Sequence, residues 1–218
     1  MFFPRLRRHA KWMFLFLALA FGLGFTLFGV GAGGIGLGDA ISGGGGSGVP
    51  SVSDAEQRVL DNPKDADSYS NRGFTWSLKG DQDKAIADFN EALKINPKHV
   101  RALSNRGVAW NRKGEPYRAI ADVTEALKVN KRHAKAYNNR AVALIRKREI
   151  DKAIADLNES IKLNPKDASA YFNRGNALEL KGSLSDGLAD FKKFVALSPK
   201  DPDGPRAVSR IEARLKAR

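Results

Sequence analysis

The chain has 218 residues, enough for one ordinary domain with appendages, and a formal net charge of +13. It contains no cysteine, which excludes disulfides, thiolate metal sites and cysteine nucleophiles and leaves the redox compartment open. Residues 51–218 carry about +10 of that charge, a bias toward acidic proteins, anionic lipid head groups or nucleic acid that acts on encounter rather than on fold.

Residues 1–11 form a basic segment with Arg5, Arg7, Arg8 and Lys11, and no charged residue follows from Trp12 to Gly38. Trp12 to Val30 is nearly all Phe, Leu, Ala, Met and Val with interspersed Gly. As a helix it would be roughly 28 Å long, close to the ~30 Å hydrocarbon core of a bilayer. Residues 12–37 are therefore read as a transmembrane helix. Basic residues precede this span, and the next one after it is Arg58. That asymmetry predicts a cytoplasmic N-terminus with the rest on the far side, periplasmic or extracellular if the source is bacterial. A cleaved signal peptide followed by secretion is the alternative, because its basic and apolar regions come in the same order. The apolar run is longer than such peptides need and no A-x-A site follows, which favours a retained anchor.

Residues 31–50 contain ten Gly, a density that cannot offset its own chain entropy, so residues 38–52 read as a flexible linker. About 15 such residues reach roughly 20 Å. The Gly-x-Gly patterns within Gly31–Gly38 follow an apolar span and precede no periodic helix, so they fail the context test for a phosphate loop. Next, Ser53-Asp54-Ala55-Glu56 reads as a capping box opening a short helix over 53–62 that ends at Asn62-Pro63.

Four segments then align at a constant 34-residue offset: Asn71-Arg72-Gly73, Asn105-Arg106-Gly107, Asn139-Arg140-Ala141 and Asn173-Arg174-Gly175. The other columns keep register. Tyr69, Leu103, Tyr137 and Tyr171 come before, then Trp76, Trp110, Leu144 and Leu178, then Ala85, Ala119, Ala153 and Gly187. They continue with Phe89, Val123, Leu157 and Phe191, then Ala92, Ala126, Ser160 and Phe194, and a closing Pro97, Lys131, Pro165 and Pro199. Each unit holds two amphipathic runs broken near Gly80, Gly114, Arg148 or Gly182. The units are 66–99, 100–133, 134–167 and 168–201. Gly187 and Phe194 depart from the pattern and suggest a slightly loosened last unit. A final helix over 205–217 carries an apolar stripe of Val208, Ile211 and Leu215 that would seal the stack.

This pattern resembles the tetratricopeptide repeat over residues 66–201. The resemblance implies an all-α, right-handed superhelical solenoid of helix-turn-helix repeats, here preceded by a transmembrane helix and a Gly-rich linker. It also implies that the first helices line a concave groove, with Asn71, Asn105, Asn139 and Asn173 facing it as a ladder. Asn amides both donate and accept, so such a ladder can hold a peptide backbone; alternatively these Asn bond only within the stack. Arg101, Lys135, Asn111, Arg112 and Arg146 lie near them on the same face. Their charge favours an acidic peptide or helix as partner.

The column Arg72, Arg106, Arg140 and Arg174 is matched by Asp88, Asp122, Asp156 and Asp190 at the same offset. One Asp per Arg points to a structural pair within each hairpin over an anion-binding groove. Some members of the family clamp a peptide C-terminus with Lys and Asn. Asn105, Lys135 and Asn139 fit part of that pattern, but Ser70 and Phe74 stand where a Lys and an Asn would be needed.

Catalysis has little to stand on. His99 and His133 share one register without a third ligand, too sparse for zinc, and no Ser/His/Asp set, acid pair or Walker-like motif is present. The chain is thus read as a membrane-anchored protein-interaction scaffold or chaperone-like adaptor, not an enzyme, with no cofactor and no small-molecule site. Two alternatives are carried. One is a surface for anionic lipid, or less readily nucleic acid, built on Arg206, Arg210, Arg214 and Arg218. The other is a packing subunit of a membrane complex or a self-associating protein.

Overall fold

The structure is a computed structural model that describes residues 51–217. The basic segment, the apolar span, most of the linker and Arg218 lie outside the described residues. Among the described residues the regular structure is entirely helical, and no helix is long and apolar enough to cross a membrane. Helix α1 spans Val52–Asp61, followed by the pairs α2 (Ala66–Leu78) and α3 (Gln82–Ile95), α4 (Val100–Arg112) and α5 (Pro116–Val129), α6 (Ala134–Arg146) and α7 (Ile150–Leu163), and α8 (Ala168–Lys181) and α9 (Leu184–Leu197). Helix α10, Asp203–Lys216, closes the stack. Each helix packs on the next, and the first helices α2, α4, α6 and α8 also pack on one another in turn. The repeat unit is therefore an all-α solenoid with its first helices forming a continuous inner layer.

Small residues set how closely the two helices of a hairpin approach. A Cβ on Gly73 would lie 3.0 Å from the Ala85 carbonyl oxygen and 2.9 Å from the Phe89 ring. On Gly107 it would meet Val123 at 2.5 Å, and Val123 is fully buried and stiff at χ1. Phe89, Val123, Leu157 and Phe191 occupy one column and are each 0% exposed, so each hairpin is centred on an apolar side chain at the same position.

The turns within the hairpins need a left-handed residue. Gly80, Gly114 and Gly182 take φ of 88°, 79° and 88°, and Arg148 takes φ 63° in the third repeat. Arg148 donates from its backbone N–H to Ile145, and Glu149 to Leu144. The same two bonds close the Gly turns, as when Gly80 donates to Ser77 and Asp81 to Trp76. The stack thus holds Arg148 in a conformation that costs an L-residue energy.

Between repeats, an Asn column ends each second helix. Asn96, Asn130 and Asn164 are C-caps, and their side chains accept from the N–H of Lys98, Arg132 and Lys166 at 3.1, 2.9 and 3.2 Å. These Asx turns form whether Pro or Lys follows, which is why Lys131 stands in the Pro column without altering the turn.

Three expectations are corrected. The N-cap of α1 is Ser51, not Ser53, and its capping box closes on Asp54 rather than Glu56. Asp54 N–H donates to Ser51 Oγ at 3.1 Å and Ser51 N–H to the Asp54 carboxylate at 3.2 Å, while the Ser53 hydroxyl is held on Ser51 Oγ at 2.7 Å. The last repeat is not loosened. Phe194 is 4% exposed and packs on Phe172 with ring centroids 4.8 Å apart. Gly204 at the start of α10 sits so close that a Cβ there would be 2.9 Å from the Phe194 ring. The larger side chain fills the space against the closing helix. That helix also begins earlier than residue 205, at Asp203, with Gly204, Ala207 and Ile211 buried against the last repeat.

Arg148→Gly is expected to stabilise the chain. A left-handed L-residue costs roughly 1–2 kcal/mol, partly offset by roughly 0.4–1 kcal/mol from the greater freedom of Gly in the unfolded chain. Urea denaturation followed by circular dichroism should show a net gain of about 0.5–1 kcal/mol, and an unchanged or lower midpoint would refute the strain.

Candidate functional site: the inner face of the repeats

The Arg and Asp columns meet in every hairpin. Arg72 Nε and Nη2 donate to Asp88 at 2.8 and 2.6 Å, and Arg106 to Asp122 at 2.7 and 2.6 Å. Arg140 holds Asp156 at 2.7 and 2.8 Å, and Arg174 holds Asp190 at the same two distances. The four carboxylates are buried. These hydrogen bonds push the Arg72, Arg140 and Arg174 guanidinium groups above the ordinary arginine range, against the opposing effect of burial. The remaining guanidinium nitrogen reaches back one repeat. Arg106 donates to Asn90 at 2.7 Å, Arg140 to Thr124 at 3.3 Å and Arg174 to Asn158 at 2.8 Å. In repeats one, three and four the guanidinium also lies over Tyr69, Tyr137 or Tyr171, 5.6 to 5.8 Å from the ring centre. These Arg are committed to the frame.

The Asn ladder is divided. Asn71 accepts from Arg101 Nη1 at 3.0 Å. Asn173 is buried and donates to Asn138 Oδ1 at 2.9 Å, and Asn138 in turn donates to Ser169 at 3.4 Å. Asn111, expected in the groove, is also buried; its amide donates to the Asn139 backbone carbonyl at 3.0 Å. Asn105 and Asn139 remain half-buried, with side-chain amides engaged by none of these bonds. Of the four rungs, the outer two bond within the stack and the middle two have side chains outside these bonds.

The basic residues form two rims on α4 and α6. Arg101 reaches Asp67 at 3.5 Å as well as Asn71, and Lys135 is its counterpart one repeat on. At the other end of these helices Arg112 donates to the Ser77 carbonyl at 2.6 Å, and Arg146 to the Asn111 carbonyl at 2.5 Å. Burial lowers the Arg112 guanidinium from the ordinary arginine range. A carbonyl satisfies a donor without cancelling its charge, so both remain cations at the surface of the inner face.

The same offset recurs at the C-terminal end. Arg214 meets Glu179 at 2.6 Å and Arg210 meets it at 2.8 Å, while Arg206 lies 3.7 Å from Asp203. The arginine stripe of α10 is thus drawn into ion pairs, two of them on a mostly buried Glu179, which weakens its case as a lipid or nucleic-acid surface. Of His99 and His133, His99 caps α4: its Nδ1 accepts the Ala102 N–H at 3.2 Å, which leaves Nε2 to donate to Asp67 at 3.1 Å.

A column at the hairpin turns escaped the sequence reading. Lys113 pairs with Asp83, Lys181 pairs with Asp151 at 2.7 Å, and between them Lys147 lies 4.3 Å from the centre of the Tyr117 ring. Each Lys reaches the second helix of the preceding repeat. The signal was available, since Lys113, Lys147 and Lys181 are 34 residues apart, as are Asp83, Tyr117 and Asp151. Tyr117 in place of Asp hides it, because a ring face attracts a cation as a carboxylate does but belongs to another residue class.

Residues 66–99 and 139–216 match family models described as tetratricopeptide repeat. Among solved structures, the chain resembles pilF of Pseudomonas aeruginosa, with 21% identity and a TM-score of 0.65 over 70% of this chain and 69% of that one. It also resembles TTC0263, a thermophilic TPR protein of Thermus thermophilus, with 21% identity, a TM-score of 0.64 and coverage of 74% and 89%. A third is YrrB, a TPR protein with an unusual peptide-binding site, with 20% identity, a TM-score of 0.61 and coverage of 77% and 87%. At these identities the likeness shows the fold alone. No curated protein matches the chain significantly.

Asp156→Ala leaves the Arg140 guanidinium without its partner. Stranding a fully buried charge costs about 3–5 kcal/mol, and the partial exposure of Arg140 should reduce this to roughly 2–3 kcal/mol. The double variant Arg140→Met, Asp156→Leu should recover most of that loss in thermal denaturation; equal destabilisation by single and double variants would refute the pairing.

Proposed function

We propose that this chain, a tetratricopeptide repeat protein, is a membrane-anchored scaffold or chaperone-like adaptor that holds a peptide or helix of a partner protein against the inner face of its repeats. The observation that carries this reading is the division of the Asn ladder. The stack satisfies Asn71 and Asn173 internally but leaves the amides of Asn105 and Asn139 half-buried and uncommitted at its centre. Each amide carries both a donor and an acceptor, which a partner's backbone or side chain can engage in place of water. YrrB, of similar fold, is described as having a peptide-binding site, which is consistent with that use of the inner face.

Anchoring rests on the uncharged apolar run that begins at Trp12 and on the basic residues before it. The Gly-rich linker then sets a short search radius above the membrane, and the charge asymmetry places the repeats on the side opposite the N-terminus.

Asn105→Ala with Asn139→Ala should reduce crosslinking of the intact membrane form to its partner by about an order of magnitude, equivalent to ~1.4 kcal/mol, with circular dichroism unchanged. Undiminished crosslinking would count against the inner face. Protease added outside sealed cells or spheroplasts should degrade the repeats, and repeats digested only after lysis would overturn the topology.

A further inference from the structure

Among the described helices the two middle first helices stand apart in their charge. Helices α4 and α6 contain no Asp or Glu, while α4 carries Arg101, Arg106 and Arg112 and α6 carries Lys135, Arg140 and Arg146. Arg106 and Arg140 are matched by carboxylates on the second helices. The other four cations are those of the rims. Of these, Arg101 shares Asp67 with His99, while Arg112 and Arg146 donate to backbone carbonyls.

Between the rims runs an apolar strip. Residues 101, 105, 108 and 112 share one face of α4 by their spacing of three and four, as do 135, 139, 142 and 146 on α6. The bonds from Arg101 to Asn71 and from Arg146 to Asn111 fix that face as the one turned along the line of first helices. Val108 and Val142 lie at its middle, both half-buried. Ile145 and Leu180 continue the strip toward repeat four, where Leu180 stands in the arginine column and is 37% exposed.

We propose that the inner face takes an amphipathic α-helix whose apolar stripe is bordered on both sides by acidic residues, lying across α4 and α6. This rests on the reading of the inner face as the binding surface and names the partner's form and chemistry. The rims are about 16 Å apart along each first helix, at 1.5 Å per residue, and a helix with its side chains is about 10–12 Å wide. The gap on either side is the reach of a Glu or Asp side chain. A docked helix points the residues flanking its stripe sideways, toward both rims, as e and g positions do in a coiled coil. An extended peptide directs alternate side chains into the surface and away from it, leaving none for the rims. The divided Asn ladder agrees, since two uncommitted amides cannot follow an extended backbone along the whole groove.

The test uses the full-length chain in nanodiscs of zwitterionic lipid and fluorescent peptides of about 18 residues, long enough for five helical turns. One peptide has a Leu stripe flanked by Glu on both sides, one has the same stripe flanked by Lys, one is a scramble of the first, and one carries central Pro residues that forbid a helix. The Glu-flanked helix should bind at least ~10-fold more tightly than the other three. Val142→Asp should abolish its binding, and Arg101→Gln with Lys135→Gln should weaken it while leaving a Gln-flanked helix unaffected. Circular dichroism and thermal denaturation verify that each variant folds. Equal binding of the scramble would show a response to charge alone, and equal binding of the Pro peptide an extended ligand; either overturns the helix proposal while the inner face still binds. Binding indifferent to Val142→Asp, or a dimer that this variant dissolves while no peptide binds, overturns the use of the face for a partner as well.

Discussion

In repeats two to four one guanidinium joins three helices, and the rest of the architecture depends on it. The planar fork of Arg106 grips both oxygens of Asp122 within its own hairpin and reaches Asn90 on the preceding one. Arg140 and Arg174 do the same one and two repeats later. A lysine has no fork and could make only one of these contacts well. A hairpin of two short helices cannot bury enough apolar surface alone, so a contact that sets both the hairpin and its register on the neighbour determines whether the stack forms. The small residues at Gly73, Gly107 and Ala141 work with it, because they bring the helices near enough for a short side chain to meet the fork.

Commitment of polar groups to the frame is uneven along the stack, and this unevenness defines the site. At the N-terminal end Asp67 and Asn71 are occupied by His99 and Arg101. At the C-terminal end Asn173 is buried against Asn138, and Glu179 is enclosed by two arginines of α10. The centre is left with two uncommitted amides, an apolar strip and cations unopposed by carboxylates on their own helices. In the proposed function these cations would bias encounter and exclude like-charged partners.

The closing helix shows how a departure from a repeat pattern acquires a physical reason. Phe194 occupies a column of small residues and packs closely on Gly204 of α10. The inner surface of α10 is made of Gly204, Ala207 and Ile211, and the large ring fills what a second helix would have filled. Phe172, Phe191 and Phe194 form one aromatic cluster there, so the end of the stack is anchored by its largest side chains.

The sequence by itself determined the repeat, its 34-residue period, the helical hairpins and the recurrence of one Arg and one Asp per unit, because these follow from local helix geometry and from a translation that repeats every contact. Only the tertiary structure decided which of several chemically identical residues are spent on the frame. Asn71, Asn105, Asn139 and Asn173 occupy one column, yet their availability differs because it depends on neighbours about thirty-odd residues away that do not repeat, such as Arg101 beside Asn71 and Asn138 beside Asn173. The same holds for the turn at Arg148, tolerated because the stack holds its backbone, and for Phe194, explained only by the helix that covers it. Periodicity reveals what the repeats share, and tertiary contacts reveal where they differ.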